Sequence, residues 1–267
     1  MNADASAGRA PPPQLWVLTP TLAGDREARW AAMLRHLEPV AGEGRLMLLV
    51  RQPGADDGAL AVLLREAHMA LPGLALGVRL DGRVDAVRVR RLLSAAGSPV
   101  WLHLAERALL DAELLGWREP LGELPSALLG ISRAAHDAAG LRRNATSDLD
   151  ASLLAPVLAP RSKPEARPLG LVGLLALARQ TEQRIVALGG LRPEDVPAVL
   201  AHGAYGVASQ SGAFDGPVDA WLAALDSGRS LTHGHPLERE VDAATVAGDA
   251  QECARPCAGP ASNPADP

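Results

Sequence analysis

Arg184-Ile185-Val186-Ala187-Leu188-Gly189-Gly190-Leu191-Arg192-Pro193 holds, in ten residues, the pattern on which this chain is built. A strand is expected at Arg184–Leu188, an apolar run buried on both faces that two glycines end. Pro193 follows at a position that suits the first turn of a helix, where its missing N–H costs nothing. A buried strand that passes through a short turn into a helix is half of a parallel βαβ unit.

The same unit recurs on both sides. Upstream, strands are expected at Leu15–Thr19, Arg45–Arg51, Leu74–Leu80, Pro99–Leu104, Leu128–Ser132 and Ala151–Ala155. Helices are expected at Asp25–Leu37, Asp57–Met69, Val84–Ala95, His136–Arg143 and Gly170–Arg179, with a helix-like piece at Leu109–Leu115. Trp30, Met33, Leu34 and Leu37 recur at helical spacing behind Asp25, a natural cap. Downstream come a helix from Pro193 to Leu200, a strand at Ala204–Ala208 and a last helix at Gly216–Leu225. Eight such units in roughly 210 residues fit a single (β/α)8 TIM barrel. An open doubly wound sheet is the alternative. It lacks support because the first βα turn has no G-x-G-x-x-G, while a Gly-Gly turn after the penultimate strand is where barrels build phosphate sites.

Composition agrees with one apolar core and narrows the function classes. The chain has 267 residues, 48% of them hydrophobic but only 3% aromatic, so Leu, Val and Ala must fill the interior. Net charge is -5, and no basic stripe interleaved with aromatics argues for nucleic acid. No apolar run approaches the roughly 20 residues that span a bilayer, and the Ala-, Gly- and Pro-rich start does not read as a secretory signal. The expectation is a cytoplasmic protein that binds neither nucleic acid nor membrane and leaves room for a homo-oligomer. Residues 1–13 read as a disordered N-terminal lead, 14–226 as the barrel, and 227–267 as a low-complexity, disordered tail. That tail carries Cys253 and Cys257, and His233 and His235 sit at its start. They make a zinc site only on paper, because a patternless polar segment separates the pairs.

In a barrel the chemistry sits where strands end. Arg51 follows the second expected strand, Asp81 the third, His136 the fifth, and Ser162 with Lys163 the sixth. Gly189-Gly190 follows the seventh and Ser209-Gln210-Ser211 the eighth. Lys163 is the chain's single lysine among 26 lysines and arginines. A compact ammonium beside a hydroxyl, in a loop held by prolines, suits an anionic ligand; chance placement in an arginine-rich chain is the other reading. Glycines let main-chain N–H groups approach phosphate oxygens, though Gly189-Gly190 also suits a plain tight turn. His136 reads as acid–base group or helix cap, and Arg51 as ligand contact or surface arginine. His103 reads as packing at the barrel end. The Asp56-Asp57 and Arg142-Arg143 pairs read as solvated faces.

Taken together these residues resemble the thiamine phosphate synthase/TenI family, from Leu15 to Phe214. Leu48-Leu49-Val50-Arg51-Gln52-Pro53 stands where that family has V-Q-L-R-E-K, and Asp81-Gly82-Arg83-Val84-Asp85 stands at its I-N-D-R-V-D. Ser132-Arg133-Ala134-Ala135-His136-Asp137 is similar to G-R-S-x-H-[DS]. Ala155-Pro156-Val157-Leu158-Ala159-Pro160-Arg161-Ser162-Lys163-Pro164 is similar to S-P-V-F-x-T-x-S-K-P. Val186-Ala187-Leu188-Gly189-Gly190-Leu191 and Gly203-Ala204-Tyr205-Gly206-Val207-Ala208 match A-[IL]-G-G-I and G-A-D-G-V-A.

The resemblance implies a thiazole phosphate as ligand in thiamine biosynthesis, with His136 and Lys163 as catalytic residues. It implies that Arg51, Ser162, Gly189, Gly190, Gln210 and Ser211 hold phosphate or substrate. The synthase couples hydroxymethylpyrimidine diphosphate to thiazole phosphate with Mg2+ on the leaving pyrophosphate. Its metal carboxylates fall here on Gly82 and about Ala108, its R-E-K lysine on Pro53, its glutamine on Leu49 and the threonine before S-K on Pro160. Glu106 is the nearest carboxylate to the missing one. The TenI branch isomerises a thiazole phosphate carboxylate by proton transfer and needs no metal, and its histidine falls on His136. The expectation is therefore tautomerisation with no cofactor, Mg2+ entering only if coupling is retained. A non-catalytic barrel binding thiazole or thiamine phosphate stands as the other class. A phosphate barrel of tryptophan or histidine biosynthesis is weaker, because of Ser162-Lys163-Pro164.

Overall fold

The computed structural model describes residues 11–22, 24–111, 127–147, 149–160 and 165–233. Its strands are β1 (Leu15–Leu18), β2 (Leu46–Val50), β3 (Ala75–Leu80), β4 (Arg83–Val84), β5 (Val100–Leu104), β6 (Leu109–Leu110), β7 (Leu128–Ala135), β8 (Ala151–Leu154), β9 (Arg184–Leu188) and β10 (Gly206–Ser209). Eight of them close a barrel in the order β1-β10-β9-β8-β7-β5-β3-β2, every pair parallel. The expected TIM barrel is what the chain forms. Its helices are α1 (Arg26–Leu37), α2 (Asp57–Ala70), α3 (Ala86–Ala96), α4 (Ala138–Thr146), α5 (Gly170–Ala178), α6 (Val196–Ala201) and α7 (Val218–His233).

Strand alternation sorts the apolar residues into two layers. Leu15, Val17, Leu46, Leu48, Val50, Leu76 and Val78 face the helices in the larger core. Trp16, Leu18, Met47, Leu49, Trp101, Leu153, Val186 and Ala208 fill the barrel interior. The two tryptophans make that interior crowded, and glycine makes the room. A Cβ on Gly130, which stands opposite Trp101, would lie 2.1 Å from the indole ring, and one on Gly77 would lie 2.9 Å from Met47 Sδ.

Four helices start from the same device at the strand-end face of the barrel. Asp25, Asp56, Asp85 and Asp137 accept from the backbone N–H groups of Ala28, Ala59, Arg88 and Gly140 at 3.1, 2.7, 2.8 and 2.7 Å. Each such cap stabilises its helix by about 1 kcal/mol. The Asp56-Asp57 pair is thus no mere solvated face: Asp56 caps α2, and Asp57 binds Arg88 Nη2 at 2.7 Å. Arg143 likewise has a partner, Glu106 Oε1 at 3.3 Å.

Other differences have local causes. Leu109-Leu110 is a strand rather than the start of a helix, because it pairs with Arg83-Val84 in a two-stranded sheet. The same pairing holds Val84 extended, so α3 begins at Ala86 behind its Asp85 cap. The final helix does not stop at Leu225 or the barrel boundary at residue 226; α7 continues to His233. There Gly228 packs against Pro197 and Leu200 of α6, and Arg229 Nη1 donates to Gln14 Oε1 at 3.1 Å. Among the described residues no helix is long and apolar enough to cross a membrane. Cys253, Cys257 and His235 lie outside the described residues.

Candidate functional site at the barrel mouth

The carboxyl ends of the strands surround a cavity of about 600 Å³ on the β8, β9 and β10 side of the mouth. His136, Gly189, Gly190, Gln210 and Ser211 all line it, so five expected site residues, from three strand exits, come together. Its wall continues through Pro217 and Ala220 at the start of α7, which brings a helix N-terminus to the rim. That end carries partial positive charge and suits an anion.

The two glycines have a structural reason beyond ligand approach. Gly189 has φ +110° and Gly190 φ +64°, in the left-handed region that side chains resist. A Cβ on Gly190 would lie 2.4 Å from the Ala159 carbonyl oxygen, and one on Gly189 would lie 2.9 Å from Pro156. The glycines therefore let the segment after β8 lie directly on the β9 turn. Val157 N–H donates to Leu188 O at 2.8 Å and Leu158 N–H to Gly189 O at 3.0 Å. This is the tight-turn reading of the pair. Ser162 and Lys163, which that segment leads into, lie outside the described residues.

His136 stands half-exposed just beyond β7, at the cavity edge. Its Nδ1 donates to the Ala155 carbonyl, which fixes the ring and leaves Nε2 as the nitrogen that can exchange a proton with a ligand. Glu106 Oε2 lies 3.7 Å from Nε2, and Arg143 holds the other carboxylate oxygen. The helix-capping reading of His136 is set aside, since Asp137 is the α4 cap. Glu106 was legible only as a carboxylate near a lost metal ligand; the fold turns it toward the histidine.

Arg51 is separate from that cavity's lining. It projects from the end of β2, its backbone N–H donating to Thr19 Oγ1 at 2.8 Å. Burial, and then the neighbouring charge of Arg79, lowers its pKa, while Asp81 opposes the change. His103 is inside the barrel, with Nδ1 3.1 Å from Ser132 Oγ and its ring edge-on to Trp16 at 6.1 Å between centroids. Burial, with help from Arg79, pushes its pKa down to about 3, so it stays neutral. Arg79 lies within β3, so the strand exits do not nominate it. The signal was there: one arginine interrupts Leu76-Gly77-Val78-Arg79-Leu80.

The positions that the resemblance assigns to a divalent cation do not fit one. Gly82 presents no side chain and open space where a Cβ would be, and Ala108 offers only a buried methyl. Asp81 Oδ1 is bound by Arg79 Nη2 at 2.9 Å, and Glu106 is held between Arg143 and His136. Among the described residues no group of three or more His, Cys, Asp or Glu side chains could hold a metal ion. A hard cation needs several oxygen donors.

Residues 80–213 match the family described as thiamine monophosphate synthase. The thiamine-phosphate synthase of Laribacter hongkongensis is 40% identical over 173 residues, covering 61% of this chain and 77% of that protein. The one from Moorella thermoacetica is 30% identical over 177 residues, covering 62% and 80%. Among solved structures, the thiamine phosphate pyrophosphorylase from Pyrococcus furiosus superposes with a TM-score of 0.58. It has 16% identity and covers 80% of this chain and 96% of that one. That last likeness is one of fold.

Proposed function

Since the chain belongs to the thiamine monophosphate synthase family of thiamine biosynthesis, we propose that it acts on a thiazole phosphate, and that the reaction is a metal-independent proton shift. One observation carries the reading. A histidine with one nitrogen anchored stands at the edge of an anion-suited cavity, while the metal-ligand positions carry glycine and alanine.

The chemistry asks little of the chain beyond placement. The phosphate lies at the Gly189–Gly190 turn and the start of α7, with Gln210 and Ser211 closing over it. Neutral His136 takes one proton from the ring of the thiazole carboxylate at Nε2 and returns one to the atom at the far end of the conjugated double bonds. The double bonds move by one place, no heavy-atom bond breaks, and the imidazole ends neutral. Glu106 steadies the imidazolium in between, and Ala155 keeps the ring in register. Lys163 and Ser162 are assigned to the same ligand from the sequence. Positioned acid–base catalysis of this kind contributes about 10²- to 10⁴-fold.

Coupling of hydroxymethylpyrimidine diphosphate to thiazole phosphate is the second reading, and the names borne by the relatives favour it. The test offers the purified chain each substrate set, with magnesium or with EDTA, and follows products by mass. Isomerisation of the thiazole carboxylate in EDTA, reduced at least a hundredfold by His136→Ala with ligand affinity within threefold, is the expected result. Thiamine phosphate formed only with magnesium would overturn it. Binding of thiazole phosphate with neither product would mark a non-catalytic binding barrel.

A further inference from the structure

Gln210 and Ser211 stand on the loop between β10 and α7, and that loop is held from two sides. On the inner side Gly212 packs against the turn after β9: a Cβ there would lie 3.1 Å from Ser209 Oγ and 3.5 Å from Leu191 O. The backbone then tightens, with the N–H groups of Phe214 and Asp215 both donating to Ser211 O, at 2.9 and 3.1 Å. On the outer side the contact comes from the other end of the chain. His36, in the last turn of α1, has its Nε2 2.8 Å from the Ala213 carbonyl oxygen. Its ring is tilted against that of Phe214, with 5.6 Å between centroids. A carbonyl only accepts, so Nε2 carries the proton and donates.

The contact joins a rigid support to a segment that must be placed accurately. Ala213 is fully buried, so its carbonyl needs a partner within the protein, and leaving it without one is costly. The imidazole that supplies the partner rides on a helix fixed in the core by Trp30, Met33, Leu34 and Leu37, behind the Asp25 cap. The loop runs on through Pro217 into α7, so its course also sets where the first turn of that helix points. Groups that bind a ligand need to be held within about 0.5 Å of their working geometry. His36 is not among the residues that line the cavity. It can reach a ligand there only through the loop.

We infer that His36 is a positioning residue for the phosphate end of the cavity. By holding the Ala213 carbonyl it fixes the turn that presents Gln210, Ser211 and the start of α7 to the ligand. The first helix of the barrel thereby sets the geometry of a site built by its last strand. The inference rests on the proposed seat of the phosphate at that turn, and it stands whichever reaction follows binding.

The test is calorimetric titration of the full chain with thiazole phosphate in EDTA, for wild type, His36→Ala, His36→Phe and His36→Gln. His36→Phe keeps a ring against Phe214 but has no donor, whereas His36→Gln restores an N–H at about the reach of Nε2. His36→Ala and His36→Phe are expected to weaken binding at least tenfold, and His36→Gln to stay within threefold of wild type. In the isomerisation assay His36→Phe should raise KM at least tenfold with kcat within threefold, because His136 is untouched. Circular dichroism checks that the variants fold; if His36→Ala does not, His36→Phe and His36→Gln decide. Binding to His36→Phe within threefold of wild type would overturn the inference. So would a His36→Gln variant as weak as His36→Phe, since the donor would then not be what matters. Both of those results leave the phosphate seat standing, whereas no binding of thiazole phosphate by wild type would remove the seat and the role of His36 together.

Discussion

His103 sits fully buried between Trp16 and Ser132, with the Arg79 charge beside it. Both surroundings oppose a second proton on the ring. Its folded pKa of about 3 lies below the ordinary histidine value of 6.5, so the unfolded chain binds the proton first. Stability from this group is therefore complete above about pH 6.5 and falls as pH drops toward 3. The slope is at most about 1.4 kcal/mol per pH unit. Urea midpoints of wild type should fall between pH 7 and pH 4, and His103→Gln, which keeps a polar group near Ser132, should flatten that fall. Parallel curves for the two proteins would mean that other groups carry the acid sensitivity. His136 differs in the same barrel only by its place: half-exposed, at a strand exit, with one nitrogen committed to Ala155.

At the scale of elements, adjacent strands trade volume. β5 brings Trp101 into the interior, and β7 answers with Gly130 directly opposite. Gly130→Ala would press a methyl to 2.1 Å from the indole, flanked by further ring atoms at 2.4 and 2.5 Å. A large ring held in a packed barrel has little room to turn, so the expected loss is about 3 kcal/mol, at the upper end for overpacking. Adding Trp101→Leu should recover part of it, giving a coupling energy of about 1 kcal/mol or more in chemical denaturation. Strictly additive losses would show that the two residues do not share that space. The helices follow a separate local logic, four of them starting from an aspartate that caps its own first turn.

The whole molecule depends on joining its first and last strands. β1 pairs with β10 across nearly the entire barrel sequence, and Gln14 is the hinge of that seam: Val207 N–H donates to its carbonyl at 2.8 Å, and Arg229 of α7 reaches its side chain. Gly206 lies against it, and a Cβ there would be 2.4 Å from Gln14 O and 2.9 Å from its Cα. These are backbone atoms that cannot turn aside. The Cβ of Gly77→Ala meets mainly the thioether of Met47, which can. Gly206→Ala should therefore cost at least twice the stability of Gly77→Ala, with a thermal midpoint lower by roughly 4–10 °C against wild type. Equal midpoints for the two variants would refute a rigid seam.

The apolar runs of four or five residues, the turns behind them and the aspartate ahead of the first helix were local signals, and they determined the barrel from the sequence alone. Arg184–Leu188 could be read to the residue and Leu46–Val50 to within one residue at each end, because a strand buried on both faces has no polar alternation to confuse its ends. Strand exits also nominated His136, Gly189, Gly190, Gln210 and Ser211, since a barrel puts all such exits at one mouth. Which exits face which was beyond local reading. The cavity that gathers those five, the turning of Glu106 toward His136, and the reach of His36 to Ala213 all arise from strand register and barrel closure. Those are set by contacts between residues far apart in the chain. The short strand at Leu109-Leu110 is the same case in miniature: two leucines extend there because Arg83-Val84 lies alongside, and only the folded chain brings them together.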